Sequence, residues 1–165
     1  MTRIANFPKV LKELYDTLPK FPNGRINYKN ASKAAVLTCF VEYQDKILLL
    51  KRSNKVGTYK ELWNTVSGYL DELKSLKEKT NEELHEELGI SENEIKDITF
   101  GDVYEFTDED IKKTWIIHPV LVKLAKKPTL KIDWEHTEYI WIHPYEITDY
   151  TTVPNLDKTL HKIIT

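Results

Sequence analysis

The stretch GYLDELKSLKEKTNEELHEELGI, residues 68–90, decides the fold, and it predicts a loop that runs into a helix. Ser75 and Glu78 have the Ser-x-x-Glu spacing of a capping box, and Gly89 is a typical C-terminal cap, so we expect the helix over residues 75–88. Like charges three or four residues apart on a helix repel by roughly 0.2–0.5 kcal/mol per pair, so crowded acids need a compensating charge. Five glutamates crowd into ten residues here: Glu78, Glu82, Glu83, Glu86 and Glu87.

Three of these acids share one face of the predicted helix. Glu83, Glu86 and Glu87 have the spacing i, i+3, i+4, and Leu84 and Leu88 beside them would pack the helix against a sheet. Convergent carboxylates at the edge of a core suit a hard divalent cation, Mg²⁺ or Mn²⁺, and Mg²⁺ usually shares its coordination with substrate phosphates. The pattern therefore predicts a metal site that a phosphorylated ligand completes.

The alternative is a charge-rich helix whose acids are simply solvated. That interpretation predicts Glu–Lys pairs four residues apart. Three pairs at that spacing are instead like-charged: Glu78–Glu82, Glu82–Glu86 and Glu83–Glu87. Such a pattern destabilises a bare helix and is favourable around a cation, so we favour the metal site.

Composition and charge are those of an ordinary globular protein. The 165 residues are 41% hydrophobic and 30% charged, which favours a single domain over residues 1–165. A net charge of −2 provides no basic surface for a nucleic acid polymer. The single cysteine, Cys39, excludes an internal disulfide and fits a reducing cytosol. Because no signal peptide or membrane-spanning run is evident, we expect a cytoplasmic protein without a membrane partner.

The order of the predicted elements indicates an α+β fold. A helical extension within residues 1–30 precedes strands, the acidic helix, further strands and a terminal helix, which predicts a mixed sheet packed between helices. Besides the acidic helix, we expect a helix at 8–18, a β-hairpin at 34–52, a short strand at 63–66, strands at 97–108, 114–124 and 138–144, and a helix at 153–164.

Residues 68–90 resemble the Nudix box, whose pattern is Gly-x5-Glu-x7-Arg-Glu-U-x-Glu-Glu-x-Gly-U, with U an aliphatic residue. The resemblance implies the Nudix fold, an α/β/α sandwich with a mixed sheet between helices. It also implies an Mg²⁺- or Mn²⁺-dependent hydrolase in which water attacks phosphorus and cleaves a nucleoside diphosphate linked to another moiety. Seven positions of the box are matched: Gly68, Glu83, Leu84, Glu86, Glu87, Gly89 and Ile90.

Two fixed positions of the box depart from the pattern. Lys74 stands where the family has its early glutamate, and Glu82 stands where it has arginine. Because both charges are reversed together, we expect Lys74 and Glu82 to form the supporting ion pair of the family with inverted sign. The alternative is two independent losses in a catalytically impaired module that binds a nucleotide or a protein.

The resemblance implies a role for each of several acids. Glu83, Glu86 and Glu87 are the expected metal ligands, helped by the backbone carbonyl of Ser67, and Glu83 and Glu86 are also catalytic candidates. Glu135 lies six residues before Trp141, the spacing of a further acid in many members, which makes Glu135 the candidate for a fourth ligand or the general base. Weaker alternatives to Glu135 are Asp108, Glu109 and Asp110.

Substrate recognition is less constrained by the sequence. Arg52, at the end of the strand before the box, is the candidate for binding a substrate phosphate, and Lys51 is a weaker one. Family markers for ADP-ribose and dinucleoside polyphosphates are absent, because their positions hold Phe106 and Thr107. The implied partner is a small-molecule nucleotide, and a homodimer would match many relatives. Five aromatic residues could stack on a base, although each is more often part of a core or strand surface: Tyr28, Tyr69, Tyr104, Trp115 and Trp134.

Isopentenyl-diphosphate isomerase shares this fold and is a further alternative. Its chemistry needs a cysteine in the stretch that WNTVSGY, residues 63–69, faintly resembles, and Val66 and Ser67 occupy that place. Cys39 is instead expected to be a small buried hydrophobe. None of the five histidines has metal-ligand spacing.

Overall fold

The computed structural model describes residues 6–164, so the first five residues of the predicted N-terminal extension lie outside the described part. The predicted helices and strands are present within residues 6–164, except that the strand predicted at 97–108 is divided into two, Ile95–Phe100 and Tyr104–Asp108. The box begins inside a strand rather than in a loop, since Gly68 and Tyr69 end β4. Two 3-10 turns, Glu92–Glu94 and Pro144–Asp149, accompany the regular elements. The helices and strands are α1 Lys9–Thr17, β1 Lys33–Tyr43, β2 Lys46–Arg52, β3 Trp63–Asn64, β4 Val66–Tyr69, α2 Leu76–Leu88, β5 Ile95–Phe100, β6 Tyr104–Asp108, β7 Lys113–Leu124, β8 His136–Ile142 and α3 Leu156–Ile163.

The strands form a mixed sheet, which confirms the predicted α+β class. β1 and β7 lie side by side and parallel, in register from Lys33–Thr114 to Glu42–Lys123, and the other strand pairs are antiparallel. β1 pairs with β4 at one end and β2 at the other, and β7 likewise pairs with β6 and then β5. The cleft that holds the candidate site is lined by residues of β1, β4, β6 and β7.

Helices cover both faces of the sheet. Leu37 and Cys39 of β1 point into a core shared with Leu84 of α2, whereas Phe40 points to the opposite face and packs with Leu156 of α3. The period-two alternation of a strand explains why neighbouring residues of β1 serve different cores. The architecture is therefore the α/β/α sandwich expected from the sequence.

The segment before β1 packs against the loop of the box. The backbone N–H of Ile26 donates to Asp71 O at 2.8 Å, and the hydroxyl of Tyr28 donates to Leu70 O at 2.6 Å. Leu11 and Ile26 are each only 1% exposed, within the same core as α2. These contacts fix the loop that leads into the acidic helix.

α2, with 13 residues, is the longest helix among residues 6–164. Across that range, no helix has both the length and the apolar character needed to span a bilayer.

Candidate active site

The ends of α2 are fixed by the caps that the sequence predicts. The hydroxyl of Ser75 accepts a hydrogen bond from the Glu78 backbone N–H at 3.1 Å, which satisfies one of the free donors of the first turn. Gly89 ends the helix in the left-handed conformation, at φ 71°, which favours glycine. The positions of the glutamates on the helix are therefore set by local signals at both ends.

Lys74 and Glu82 form an ion pair, as their reversed charges suggest. The ammonium of Lys74 contacts Glu82 Oε1 and lies 3.5 Å from Glu72 Oε1. The contact joins the loop of the box to the second turn of α2. The departures from the family pattern therefore leave the loop and the helix connected.

A double-mutant cycle measures this pair. We expect Lys74→Glu and Glu82→Arg each to lower the free energy of unfolding by about 0.5–1 kcal/mol, because the pair is partly exposed and each change places like charges together. Lys74→Glu combined with Glu82→Arg should restore most of that loss. Denaturant unfolding gives the coupling energy, and simple additivity of the two single changes would contradict the inverted pair.

Lys79 is a second lysine that pairs with acids of the site, and its role was not predicted from the sequence. Its side chain is 7% exposed, and its ammonium lies 3.3 Å from both Asp71 Oδ1 and Glu83 Oε1. Although burial opposes it, the attraction of Asp71 and Glu83 raises the pKa of Lys79. Part of the repulsion among the helix acids is therefore relieved by lysines rather than by a metal.

Glu87, by contrast, forms no ion pair with a lysine or arginine among residues 6–164, although the charge of Arg52 acts on it. It is 1% exposed, and neither of its carboxylate oxygens has a hydrogen-bond partner among residues 6–164. Glu87, Glu135 and His136 each place one ligand atom within 4.8 Å of the other two. The unpaired negative charge is thus concentrated where the buried face of α2 meets the start of β8.

Titration of the acids reflects this crowding. Burial, then the charge of Glu83 and the close approach of its carboxyl group, and then the charges of Glu135 and Asp133, raise the pKa of Glu87 well above its ordinary value. Burial, and then the charges of Asp133 and Glu83, raises the pKa of Glu135 to about 7. Burial also raises the pKa of Glu83, an effect that Lys79 opposes. A bound cation would favour the ionised form of all three groups.

Glu83 is held against the backbone of β4. A Cβ atom placed on Gly68 would lie 2.7 Å from both Cδ and Oε1 of Glu83. The first glycine of the box is therefore required by this close approach, since its backbone φ is not in the left-handed region. Ser67, the expected carbonyl ligand, precedes it in β4 and also lines the cleft.

The cleft has a volume of about 440 Å³ and combines acidic, basic and aromatic side chains. Trp115 packs against Tyr69 and Tyr59 with ring centroids 6.2 and 6.3 Å apart, and its Nε1–H donates to the hydroxyl of Tyr59 at 3.0 Å. That hydroxyl donates in turn to Asp108 Oδ2 at 2.7 Å, so Asp108 supports the aromatic wall. The charged and aromatic residues lining the cleft include Glu83, Glu86, Glu135, Arg25, Arg52, Lys79, Tyr59, Tyr69, Trp115 and Trp134.

Arg52 lines the same cleft as the acids and the aromatic wall. Its guanidinium interacts electrostatically with Glu135 and Glu87, and also with Tyr69 and Tyr59. Nε and Nη2 donate to Thr58 O at 3.1 and 2.9 Å, which fixes the plane of the group. Lys51 instead pairs with Glu138 across the neighbouring strand at 3.5 Å and is not among the described residues that line the cleft.

The remaining candidates from the sequence are two acids, Glu109 and Asp110, and the single cysteine, Cys39. Glu109 and Asp110 are exposed on the turn after β6. Cys39 is fully buried in the core, and burial raises the pKa of its thiol, as expected for a structural cysteine.

The family model of the NUDIX domain matches residues 31–163, which is most of the chain. The chain belongs to the Nudix family. It is a hydrolase acting on phosphoanhydride bonds, in a family whose members are generally pyrophosphohydrolases of nucleoside diphosphate derivatives. No curated protein matches its sequence.

Solved Nudix structures share the fold. A Nudix hydrolase from Nitrosomonas europaea superimposes with a TM-score of 0.64 at 19% identity, covering 79% of this chain and 87% of that one. A dihydroneopterin triphosphate pyrophosphohydrolase from E. coli gives 0.64 at 15% identity, covering 77% and 92%. An Ap4A hydrolase from C. elegans gives 0.60 at 18% identity, covering 80% and 94%. At these identities the likeness shows the Nudix fold alone.

The donor set fits the divalent cation that Nudix enzymes generally use. Both carboxylate oxygens of Glu87 are buried and have no hydrogen-bond partner in the described chain. They lie beside the carboxylate of Glu135. Oxygen donors of this kind suit Mg²⁺ and Mn²⁺.

Proposed function

We propose that the protein is an Mg²⁺- or Mn²⁺-dependent pyrophosphohydrolase that cleaves a nucleoside diphosphate linked to another moiety, such as a nucleoside triphosphate. The observation that carries the proposal is the buried carboxylate of Glu87, which has no hydrogen-bond partner among residues 6–164 and lies beside Glu135. Glu135 lines the cleft together with Glu83 and Glu86. Unpaired buried carboxylates are unfavourable without a cation, and they persist where a function requires them.

The cleft offers complementary groups for each part of such a substrate. Arg52 is the proposed phosphate-binding residue, because it lines the cleft and its charge interacts with those of Glu135 and Glu87. Tyr69 and Trp115 form an aromatic wall on which a base can stack. Trp134, 63% exposed beside Glu135, offers a second aromatic surface at the mouth of the cleft.

The proposed roles of the acids follow from their positions. Glu83, Glu86 and Glu87 would hold the cation together with the Ser67 carbonyl, and the cation would supply charge neutralisation for the diphosphate and activation of water. Glu135 is the proposed general base, because its carboxylate lines the cleft beside the proposed cation ligand Glu87. Its pKa of about 7 is that of the metal-free protein, and a bound cation would lower it. Glu83, which Lys79 and Gly68 hold in place, is the other candidate for that role.

A substrate panel tests the proposed reaction. Release of phosphate, pyrophosphate or nucleoside monophosphate should be measured for nucleoside di- and triphosphates, ADP-ribose and dinucleoside polyphosphates, with Mg²⁺ and with Mn²⁺. We expect cation-dependent hydrolysis of at least one phosphoanhydride in the panel and none with chelator present. Binding of nucleotides without turnover of any of them would favour the impaired module instead.

The pKa of Glu135 predicts how the stability of the metal-free protein depends on pH. A carboxyl whose pKa rises to about 7 on folding stabilises the protein below its unfolded value, near 4.5. That stability is lost as the pH rises through 7. We expect the free energy of unfolding to fall by about 1–2 kcal/mol over this window, allowing for the partial exposure of the group. Denaturant unfolding with chelator, for the wild type and Glu135→Gln, measures the effect, and an equal slope in both proteins would contradict it.

We further propose that residues 1–165 form one domain that works in the cytoplasm. Leu11 and Ile26 of the N-terminal extension share a core with α2, which supports a single folding unit. The free, buried Cys39 is compatible with a reducing compartment.

A further inference from the structure

We propose that His136 is a ligand of the divalent cation through its Nε2 atom, so that the site combines one nitrogen donor with carboxylate oxygens. The proposal rests on the cation dependence proposed above and goes beyond it by assigning a donor that lies outside the Nudix box.

The first observation is the burial of an unpartnered donor atom. The side chain of His136 is completely buried, and its Nε2 has no hydrogen-bond partner in the described part of the chain. Both oxygens of the facing Glu87 are also buried and without partners. Buried polar atoms are nearly always satisfied, so three neighbouring exceptions indicate a missing group that all of them contact.

The second observation is the spacing of these atoms. Nε2 of His136 lies 3.6 Å from Glu87 Oε1, which is too long for a hydrogen bond. Two donors bound to one cation at about 2.1 Å lie about 3.0 Å apart at a right angle and about 4.2 Å apart on opposite sides. The observed distance falls between these limits. Glu87, Glu135 and His136 also place one ligand atom each within 4.8 Å of the other two, so Glu135 can contribute an oxygen to the same ion.

The third observation is the orientation of the imidazole ring. Nδ1 of His136 lies 3.1 Å from Asp133 Oδ1, and an ionised carboxylate can only accept, so Nδ1 carries the proton. In the neutral ring Nε2 then presents its lone pair to Glu87. Nε2 is therefore the ring nitrogen with a lone pair available for a metal ion, and the carboxylate–histidine–metal arrangement, with a carboxylate on the other nitrogen, is a common one.

A nitrogen donor has a consequence for the choice of metal. Mg²⁺ prefers oxygen ligands, whereas imidazole suits later transition metals. We therefore expect a site that includes His136 to prefer Mn²⁺ over Mg²⁺ more strongly than a site made of oxygen ligands alone.

Pulsed electron paramagnetic resonance of the full chain loaded with Mn²⁺ tests the ligand directly. We expect electron spin-echo modulation from an imidazole ¹⁴N coupled to the metal in the wild type, replaced by ¹⁵N coupling when histidine is ¹⁵N-labelled. The signal should disappear in His136→Gln and remain in His161→Gln, whose histidine is exposed on α3. Bound Mn²⁺ without nitrogen coupling in the wild type would overturn the proposal and leave the proposed function intact. No binding of Mn²⁺ at all would overturn both.

Calorimetric titration provides a second readout that does not depend on activity. We expect His136→Gln to weaken Mn²⁺ binding roughly 10- to 100-fold and Mg²⁺ binding by less. If the ratio of the Mn²⁺ and Mg²⁺ affinities is the same in His136→Gln as in the wild type, His136 is not a metal ligand. Its role would then be to hold Glu87 in position. The wild-type spin-echo spectrum alone shows whether a nitrogen binds the metal. The proposal therefore remains testable even if His136→Gln does not fold.

Discussion

Glu83→Gln is expected to lower kcat by about 10²- to 10⁴-fold while the protein remains folded. The exchange keeps the size of the side chain and removes the charge that faces the proposed cation. Lys79 keeps its contact with Asp71, so the buried ammonium is not left alone. Steady-state kinetics at saturating Mg²⁺ or Mn²⁺, together with thermal unfolding, measures the two effects separately.

Glu78→Gln is the matched control for this change. Glu78 lies on the same helix, but its side chain is exposed and is not among the described residues of the cleft. We expect near wild-type turnover from Glu78→Gln. Wild-type turnover in Glu83→Gln would remove Glu83 from the reaction, and a comparable loss in both variants would point to the helix charge as a whole.

Gly68→Ala is expected to lower kcat/KM by about 10²-fold through a shift of the Glu83 carboxylate. The added methyl group would lie 2.7 Å from Cδ of Glu83, a contact that the structure cannot accommodate unless one group moves. The end of the glutamate side chain moves more easily than strand β4, so we expect activity to fall much more than stability. Parallel kinetics and unfolding measurements show this difference.

Gly57→Ala provides the control. Gly57 also lines the cleft, but a Cβ atom there meets nothing within 4 Å. Activity should therefore be close to wild type. If Gly68→Ala were as active as Gly57→Ala, the close approach of Glu83 to β4 would not matter for the reaction.

The features that the sequence predicted correctly depend on short-range patterns. Ser75 and Gly89 fix the ends of α2 through contacts within one turn, and the spacing of Leu84 and Leu88 determines which face is buried. The contact of Lys74 with Glu82 was predicted from the resemblance to the Nudix box, whose charges at these two positions are reversed here. Local sequence therefore specified the helix and the orientation of its acids.

The features that the sequence missed depend on tertiary packing. Glu87 and His136 are distant in the chain, and they meet because β8 pairs with β2 and brings its first residue to the buried face of α2. No ligand spacing could have revealed that histidine. Lys79 resembled an ordinary surface lysine of the first helical turns, and only the burial of its face shows that it compensates Asp71 and Glu83.

Lys74 and Lys79 reduce the negative charge that a bound cation would have to compensate. Glu82 is compensated by Lys74, and one oxygen of Glu83 by Lys79. The least compensated acids are Glu87, which has no hydrogen-bond partner among residues 6–164, and its neighbour Glu135. The charge of Arg52 acts on both of them without forming an ion pair with either among the described residues. The repulsion predicted for the whole helix is thus concentrated at its buried face.

Anomalous diffraction from crystals soaked in Mn²⁺, recorded on the high-energy side of the manganese edge, tests the central claim most directly. We predict a single strong peak within about 2.5 Å of a Glu87 carboxylate oxygen, with at least one more helix glutamate coordinating the same ion. If the crystals show no peak there while Glu83, Glu86 and Glu87 keep their positions, these acids do not form a cation site and the proposed reaction loses its basis.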